Sequence, residues 1–389
     1  MEDLIVSFKN RFGSLPELVA RAPGRVNLLG EHVDYNGGPV LPAAIDRAVT
    51  LAARRNEGDV VRLHALDLGE EVQFDLADLD AKVDLEGKAL PGWARYPAGV
   101  ARSLAQEGLR VTGLEGVFTS DVPIGAGLSS SAALEIAFAV AWEQLGGWEV
   151  NRMTLARLCQ RAENEYVGVN CGLMDQFASV HGVASHALYF DTRSLEWEAL
   201  PLPAGTVLIV ADSGVRRSLA DSGYNERRAA CEQAVALLKA FLPKIESLRD
   251  VSPTEFAALS EFLPESTRRR AEHVVKEIAR VQSAAVALRN DDRQSFGALM
   301  YAGHASLRDL YEVSTPELDL LVEISRTLPG CIGARLTGAG FGGCTINLVE
   351  AGAAGDFIEG LMAGYRERTG RQAQVYLCKA SQGAGVTLI

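Results

Sequence analysis

The chain has 389 residues, of which 48% are hydrophobic and 23% are charged, and its formal net charge is -12 at pH 7. This is the balance of a globular protein that can bury a large core, and its length suggests two or three domains. The acidic excess argues against nucleic acid or an anionic membrane surface as a partner.

The cysteines and the first residues indicate the compartment. The six cysteines show no CxxC pair and no dense spacing, which favours reduced thiols over a disulfide framework or a zinc site. Residues 1–10 carry acidic side chains where a signal peptide would carry basic ones, and no segment approaches the roughly 18 apolar residues of a membrane span. We therefore expect a cytoplasmic protein.

The first half of the chain has the pattern of strands with interspersed helices. An apolar run at 134–145 predicts a buried helix, and apolar residues at helical spacing through 155–166 predict a second helix that ends near Gly168. Short apolar or alternating runs predict strands at 49–51, 60–63, 187–190 and 207–210.

The second half carries longer helices. The spacing of Val274, Ile278, Val281 and Ala285 predicts one of them. Residues 318–328 predict another helix, and 345–349 and 375–377 predict strands. The prolines and the glycine of 200–205 are typical of a domain junction, so we predict two α+β domains, 1–200 and 201–389. The periodicity of the sequence leaves the topology of these domains open.

The first motif is a cluster of polar side chains in the segment 25–38. Arg25, Glu31, His32, Asp34 and Asn36 alternate with apolar residues there. Carboxylates and amides suit a ligand rich in hydroxyls. Either Glu31 or His32 alone would be interpreted as part of a polar loop with an Asp-Tyr-Asn-Gly turn, but the cluster favours binding.

The second motif is the Gly/Ser-rich segment 123–133, which leads directly into the apolar helix. A helix N-terminus offers unpaired N–H donors and partial positive charge, and is therefore a natural phosphate site. The loop has no Lys after its glycines and does not match the usual P-loop, so the helix dipole and a metal ion would have to offset a polyphosphate. An ordinary turn with a Ser cap is the alternative.

The third motif spans 161–176. Glu163 follows Cys159 by four residues on one face of the predicted helix, and Asp175 sits in an otherwise uncharged stretch. Asp175 is therefore either a helix cap or a working carboxylate. Mg²⁺ is usually held by one or two protein oxygens plus phosphate, so Ser131 and Glu163 would suffice.

The fourth motif, 335–345, contains Gly338, Gly340, Gly342 and Gly343. Glycines let the backbone turn sharply or pack tightly against another segment. Because the motif lies between a predicted helix and a predicted strand, its role could also be purely structural.

Together and in this order, the four motifs resemble the GHMP small-molecule kinases, and the segment Gly24–Asn36 is similar to the signature of the galactokinase family. Three further stretches also resemble galactokinases: Gly172–Gln176, 216–220 with Tyr224, and Tyr311–Leu318. The resemblance covers nearly the whole chain. Ala126 and Ala339 stand where many relatives have glycine, a small departure that related kinases share.

The resemblance implies a two-domain α+β GHMP kinase fold. The N-terminal domain would be like domain 2 of ribosomal protein S5, the C-terminal domain ferredoxin-like, and the active site would lie in the cleft between them. It implies transfer of the γ-phosphoryl group of ATP to the anomeric hydroxyl of D-galactose, the first committed step of the Leloir pathway, with Mg²⁺ as cofactor. Galactose and ATP are the expected partners. We expect a monomer, with no nucleic acid, membrane or obligate protein partner.

The resemblance also implies roles for individual residues. Asp175 matches the catalytic carboxylate and Arg25 its arginine partner. The galactose-binding positions are Glu31, His32, Asp34, Gly172 and Tyr224, and the magnesium positions are Ser131 and Glu163. The nucleotide-binding positions are Gly125, Ala126, Gly127, Leu128, Ser129, Ser130, Ser131, Trp93, Tyr96 and Arg216. Whether Asp175 removes the proton of the hydroxyl or only orients it stays open.

Three alternatives remain at this point. A GHMP kinase for N-acetylgalactosamine or arabinose is the first, although Glu31 and His32 would meet a 6-hydroxyl that arabinose lacks. A galactose-sensing regulatory protein is the second; loss of the Ser-Ala pair in the phosphate loop marks an inactive form, and Ser131-Ala132 is intact. A simple sugar-binding protein is the third, but it would have no use for a nucleotide loop.

Overall fold

The computed structural model describes residues 1–123, 125–215 and 220–389. The strands are β1 (Leu18–Asn27), β2 (Pro39–Val40), β3 (Pro42–Arg55), β4 (Val60–Ala65), β5 (Glu70–Asp75), β6 (Leu114–Ser120), β7 (His186–Asp191), β8 (Trp197–Pro201), β9 (Thr206–Asp212), β10 (Cys331–Leu336), β11 (Cys344–Glu350), β12 (Gln374–Cys378) and β13 (Gly385–Leu388). The helices are α1 (Glu2–Phe12), α2 (Arg95–Gln106), α3 (Ser130–Gly146), α4 (Arg152–Arg161), α5 (Met174–His181), α6 (Ala220–Leu238), α7 (Pro253–Leu259), α8 (Glu265–Arg289), α9 (Arg293–Ser306), α10 (Pro316–Thr327) and α11 (Ala354–Thr369).

The described strands form three sheets. A mixed sheet has the order β13-β1-β3-β6-β4-β5, in which only the β4–β6 pair is parallel. A four-stranded antiparallel sheet has the order β10-β11-β9-β12, and a small antiparallel sheet has the order β2-β7-β8. The expected α+β class is confirmed, and the predicted helices and strands are all present.

The chain passes from one sheet to another at the predicted junction. Strand β8 belongs to the small sheet and β9, which follows the segment 202–205, belongs to the four-stranded sheet. The chain end departs from the predicted division at 200/201, because β13 pairs with β1 in the sheet of the first half. This pairing covers an edge of β1 that would otherwise expose unpaired backbone groups.

The helix predicted through 155–166 is α4 extended by one π turn, Ala162–Val167. Gly168 ends it with a φ of 95°, as the sequence predicted. A π turn inserts an extra residue into a helix and so changes the direction in which the following side chains point. Glu163 lies on this turn and is buried.

Helix α3 is the centre of the first half. Every residue from Ala132 to Glu143 on it is buried, which matches an apolar sequence that shows no preferred face. Because both of its sides are packed, its N-terminus is held rigidly at the edge of the core.

Apolar clusters join the two halves of the chain. In one of them, Val26 of β1 and Leu28, which follows the strand, pack with Val281 and Ala284 of α8. The loop that follows β1 is therefore held against α8 of the second half. Among the described residues, no helix combines the length and the apolar character that a membrane crossing requires.

Candidate active site

A cavity of about 600 Å³ brings the four motifs together. This volume is in the usual range for a small-molecule site. Its lining includes Arg25, Glu31, His32, Asp34, Gly125, Gly127, Leu128, Ser129, Ser130, Ser131, Gly172, Asp175, Tyr224, Gly338 and Ala339. Most of the predicted catalytic, sugar-binding and phosphate-binding residues therefore face one space.

Asp175 is bound by Arg25 rather than to the end of its own helix. The N-cap position of α5 is Leu173, with no side-chain cap hydrogen bond, and Asp175 stands in the first turn. Arg25 donates from Nε to Oδ1 and from Nη2 to Oδ2, each at 2.9 Å. The Arg25 side chain is 6% exposed and that of Asp175 26%, so a buried guanidinium holds a carboxylate that still reaches the cavity. The geometry favours a working carboxylate over a cap.

The same pair is tied to the Gly/Ser-rich loop. Arg25 Nη1 donates to the carbonyl oxygen of Gly127 at 2.7 Å, and the Ser129 hydroxyl donates to Asp175 Oδ2. Ser129 precedes α3 in the left-handed conformation, with a φ of 59°, and makes no side-chain cap bond to the helix. The predicted Ser cap is therefore not formed by Ser129. The first N–H groups of α3 remain available to an anion at the cavity.

Glu31 is held by groups from the second half of the chain. It forms an ion pair with Arg335 and accepts a hydrogen bond at 3.1 Å from the N–H of Gly338. Arg335 is fully buried and also pairs with Glu277 at 3.1 Å. Burial raises the pKa of Glu31 to about 7, and the nearby Arg335 opposes that rise. The carboxylate is thus anchored from behind while the residue lines the cavity.

Two residues that support the site, Arg335 and Glu277, were not predicted from the sequence. Glu277 lies on α8 beside Ile278, within the face whose apolar spacing predicted that helix, and it is fully buried. A carboxylate amid an apolar face needs a partner in the folded protein. The signal in the sequence was the charged Glu277 on the apolar face of the predicted helix, although nothing in the local sequence identifies the residue that pairs with it.

Asp34 and Gly172 are in immediate contact. A Cβ atom added to Gly172 would lie 1.7 Å from Asp34 Oδ2, so no side chain fits there. Burial raises the pKa of Asp34 to about 6, and Asp175 adds to that rise. Tyr224 completes this wall, with its ring centroid 5.5 Å from that of His32.

Glu163 lies just behind the cavity among polar partners. It accepts hydrogen bonds from Cys171 Sγ at 3.2 Å and from Gln176 Nε2 at 2.7 Å, and the Ser131 hydroxyl also bonds to it. Burial raises its pKa. The same Gln176 nitrogen donates to Glu135 at 2.9 Å.

The residues around Glu163 fit a divalent cation. The carboxylates of Glu135, Glu163 and Asp175 lie close enough to repel one another. Glu135 Oε1 is buried without a hydrogen-bond partner among the described residues. A hydroxyl and a carboxylate are hard oxygen ligands of the kind that Mg²⁺ takes, and a cation would relieve the excess negative charge. No three His, Cys, Asp or Glu side chains of the described ranges converge as a metal-binding group.

Three of the predicted nucleotide-binding residues do not line the cavity, and a fourth lies outside the described residues. Trp93 donates from Nε1 to Glu70 at 2.6 Å, and neither it nor Tyr96 lines the cavity. Ala126 is fully buried in an apolar cluster rather than facing the cavity. Arg216 lies outside the described residues. Their nucleotide roles stay predictions.

The fourth motif combines packing with site contacts. Gly340 has a φ of +78°, and a Cβ atom there would lie 2.2 Å from the carbonyl oxygen of Val313, so the backbone packs too tightly for a side chain. Gly338 binds Glu31, and the carbonyl oxygen of Ala339 lies 3.1 Å from His32 Nε2. The motif is therefore structural at Gly340 and part of the site at its first residues.

Family models match three parts of the chain. Residues 6–55 match the galactokinase galactose-binding signature, residues 95–183 the N-terminal domain of the GHMP kinases, and residues 284–366 their C-terminal domain.

Individual proteins match along the full length. The chain is 47% identical over 378 residues to a galactokinase of Roseiflexus sp. (strain RS-1), covering 97% of this chain and 95% of the other. It is 43% identical over 386 residues to a galactokinase of Homo sapiens, with 98% and 95% covered. The crystal structure of Lactococcus lactis galactokinase complexed with galactose superposes with a TM-score of 0.93 at 35% identity, covering 99% of each chain. Mevalonate kinase of Methanococcus jannaschii shares the fold, with a TM-score of 0.67 at 20% identity over 95% of this chain and 100% of that one.

Proposed function

The chain belongs to the galactokinase family of the GHMP kinases, and on that premise we propose that it transfers the γ-phosphoryl group of ATP to the anomeric hydroxyl of D-galactose, giving galactose 1-phosphate and ADP. The observation that carries the proposal is the Arg25–Asp175 pair, with two hydrogen bonds of 2.9 Å. It stands in one cavity between the sugar motif and the loop that begins α3.

Asp175 is the proposed acceptor of the proton that the sugar hydroxyl loses. Phosphoryl transfer depends mainly on alignment and on stabilising charge, so the hydroxyl needs orientation more than strong activation. Arg25 holds both carboxylate oxygens and therefore sets the angle at which Asp175 meets the hydroxyl. Its buried positive charge also stabilises negative charge on the attacking oxygen.

Glu31, His32, Asp34, Gly172 and Tyr224 are the proposed galactose contacts. They line the same cavity as Asp175, which supports the assignment. In this proposal Asp34 and the backbone of Gly172 bind the axial 4-hydroxyl. Glucose, with that hydroxyl inverted, would leave buried polar groups unpaired at a cost of about 1–3 kcal/mol each.

The nucleotide phosphates are proposed to lie on residues 125–131, at the positive end of α3. Ser131 and Glu163 would hold Mg²⁺, which when bound supplies charge neutralisation for the phosphates. The oxygen ligands and the surplus of carboxylates around Glu163 support that placement. Arg25 donates to the Gly127 carbonyl oxygen, so a direct hydrogen bond links the loop to the proposed catalytic pair.

ADP release with galactose, glucose, N-acetylgalactosamine and arabinose tests the proposal, with galactose binding measured by calorimetry without nucleotide. We expect galactose to give the highest kcat/KM, with galactose 1-phosphate as product. A higher value for N-acetylgalactosamine or arabinose would assign the chain to another sugar. Galactose binding with no ADP release in the presence of ATP and Mg²⁺ would indicate a sensor instead.

A further inference from the structure

His32 is held in an unusual backbone conformation. Its φ is 63°, in the left-handed region that few residues other than glycine adopt. Its carbonyl oxygen accepts a hydrogen bond from Asn36 Nδ2 at 3.0 Å, which holds the backbone in place. Such conformations persist where the surrounding structure enforces them, and they concentrate at functional sites. The consequence here is a buried imidazole turned toward the cavity.

The two ring nitrogens of His32 have different neighbours. Nε2 lies 3.1 Å from the carbonyl oxygen of Ala339, and Nδ1 lies 3.0 Å from the hydroxyl of Tyr35. A carbonyl oxygen can only accept, so Nε2 must carry the proton in this contact. In the neutral ring Nδ1 is then an acceptor, and the Tyr35 hydroxyl must donate to it.

The chain of hydrogen bonds continues away from the cavity. The Tyr35 and Tyr311 hydroxyls are 2.7 Å apart. Since the one proton of Tyr35 goes to His32, Tyr311 must donate to Tyr35. Cys231 Sγ lies 3.4 Å from the Tyr311 oxygen, and its thiol completes the chain as a donor.

Both phenols keep their protons. Burial raises the pKa of Tyr35 and that of Tyr311 well above the ordinary value for tyrosine. Tyr311 is fully buried and does not line the cavity, whereas Tyr35 and His32 do. The Tyr311 hydroxyl is therefore connected to the cavity through its hydrogen bond to Tyr35 and from there to His32.

We propose that Tyr311 and Tyr35 are positioning residues that hold His32 as the Nε2–H tautomer and thereby set the affinity of the cavity for galactose. With that tautomer, the Nε2–H of His32 donates to the carbonyl oxygen of Ala339, and this pair borders the cavity; the hydrogen can be shared with a sugar oxygen, and the carbonyl oxygen keeps a second lone pair. A sugar hydroxyl, which both donates and accepts, can satisfy both groups. The opposite tautomer would present two acceptors, and one of them would stay unsatisfied. The inference rests on the proposed function, since it names galactose as the ligand.

The tautomer can be read directly by ¹⁵N NMR of the histidine-labelled protein. The signals of His32 are assigned among the six histidines by their loss in His32→Gln. We expect a pyrrole-type shift at Nε2 and a pyridine-type shift at Nδ1, without sugar or nucleotide. A protonated Nδ1, in either the opposite tautomer or the imidazolium, would overturn the inference. This result does not depend on whether galactose is the substrate.

The effect on affinity is measured with Tyr311→Phe, which keeps the buried ring and removes only the hydroxyl. We expect KM for galactose to rise about 5- to 30-fold with kcat nearly unchanged, together with a shift of the His32 signals toward a tautomer mixture. Tyr35→Phe is the second variant and should produce the same split between KM and kcat.

Tyr365→Phe is the matched control. Like Tyr311, Tyr365 is a fully buried tyrosine. Its hydroxyl donates to the carbonyl oxygen of Ser213 at 2.8 Å, and the residue belongs to a separate apolar cluster. It should lose stability without a change of KM. Equal values of KM for Tyr311→Phe and Tyr365→Phe would overturn the inference. If the parent protein neither binds nor phosphorylates galactose, the proposed function fails. The positioning of His32 by Tyr35 and Tyr311 is then tested by the His32 NMR signals alone.

Discussion

Replacing Asp175 with Asn isolates the charge of the proposed catalytic carboxylate. Asn has nearly the same shape and can still accept a hydrogen bond from Arg25, but it is a far poorer proton acceptor. If Asp175 takes the proton during transfer, kcat should fall about 10²-fold or more, within the usual range for a positioned general base. Galactose affinity should fall much less, because Glu31, His32 and Asp34 line the cavity independently of Asp175.

The same substitution also costs stability, and the structure limits how much. Breaking a buried ion pair by removing one partner typically costs about 3–5 kcal/mol, because the other charge stays buried and uncompensated. Arg25 keeps its hydrogen bond to the Gly127 carbonyl oxygen in the variant. The side chain at position 175 is 26% exposed, so solvent also reaches the guanidinium's partner. We therefore expect a loss of about 1–2 kcal/mol in the free energy of unfolding, too little to unfold the protein.

Asp191→Asn is the matched control for this experiment. Asp191 is held by both Nη atoms of Arg249, and its side chain is 13% exposed, but it does not line the cavity. It should lose stability by a similar amount and keep its turnover rate. Urea unfolding, calorimetric galactose binding and single-turnover phosphoryl transfer are measured on the same samples. A folded Asp175→Asn protein that turns over at a rate close to that of Asp191→Asn would refute the role of Asp175 as proton acceptor.

Glu163→Ala and Ser131→Ala should each weaken Mg²⁺-dependent use of ATP and leave galactose binding without nucleotide nearly unchanged; calorimetry showing lost galactose binding in a folded variant would contradict the metal assignment. KM for galactose should rise as the pH falls through about 6, because burial raises the pKa of Asp34 to that value and the carboxyl then takes up a proton and loses its ionised acceptor. Asp34→Asn cannot titrate, so an equal rise in that variant would assign the pH dependence elsewhere. Gly172→Ala should raise KM about tenfold or more, since its methyl group would lie 1.7 Å from Asp34 Oδ2, and an unchanged KM would show that this carboxylate does not bind the sugar.

The helices, including the start of α3, were predictable because their signals are local. The apolar run that forms α3 predicted a buried helix, and the glycines and serines before it predicted where that helix begins. Gly168 ended its helix as expected, with a positive φ that glycine adopts without strain. Each of these features depends on residues within one or two helical turns of one another, so spacing along the chain is sufficient to find them.

The roles within the site depended on contacts that spacing does not encode. The sequence left Asp175 open between a cap and a working carboxylate, and the fold brings Arg25 to it from 150 residues away. The sequence predicted Glu31 only as a sugar ligand. In the structure its carboxylate also accepts a hydrogen bond from the N–H of Gly338, 307 residues further along the chain. The chain end was predicted to lie in the second domain and instead covers the edge of β1.

The sequence by itself therefore determined the class of fold, the four motifs and the family that they resemble. Tertiary structure decided which polar groups meet. The physical reason is that a buried charge such as Arg335 or Glu277 costs free energy until an opposite charge or hydrogen bond compensates it. That partner comes from whichever segment the packing of the two halves brings near. The apolar clusters that β1 and α8 share contribute to that packing, which brings Arg335 to both Glu31 and Glu277.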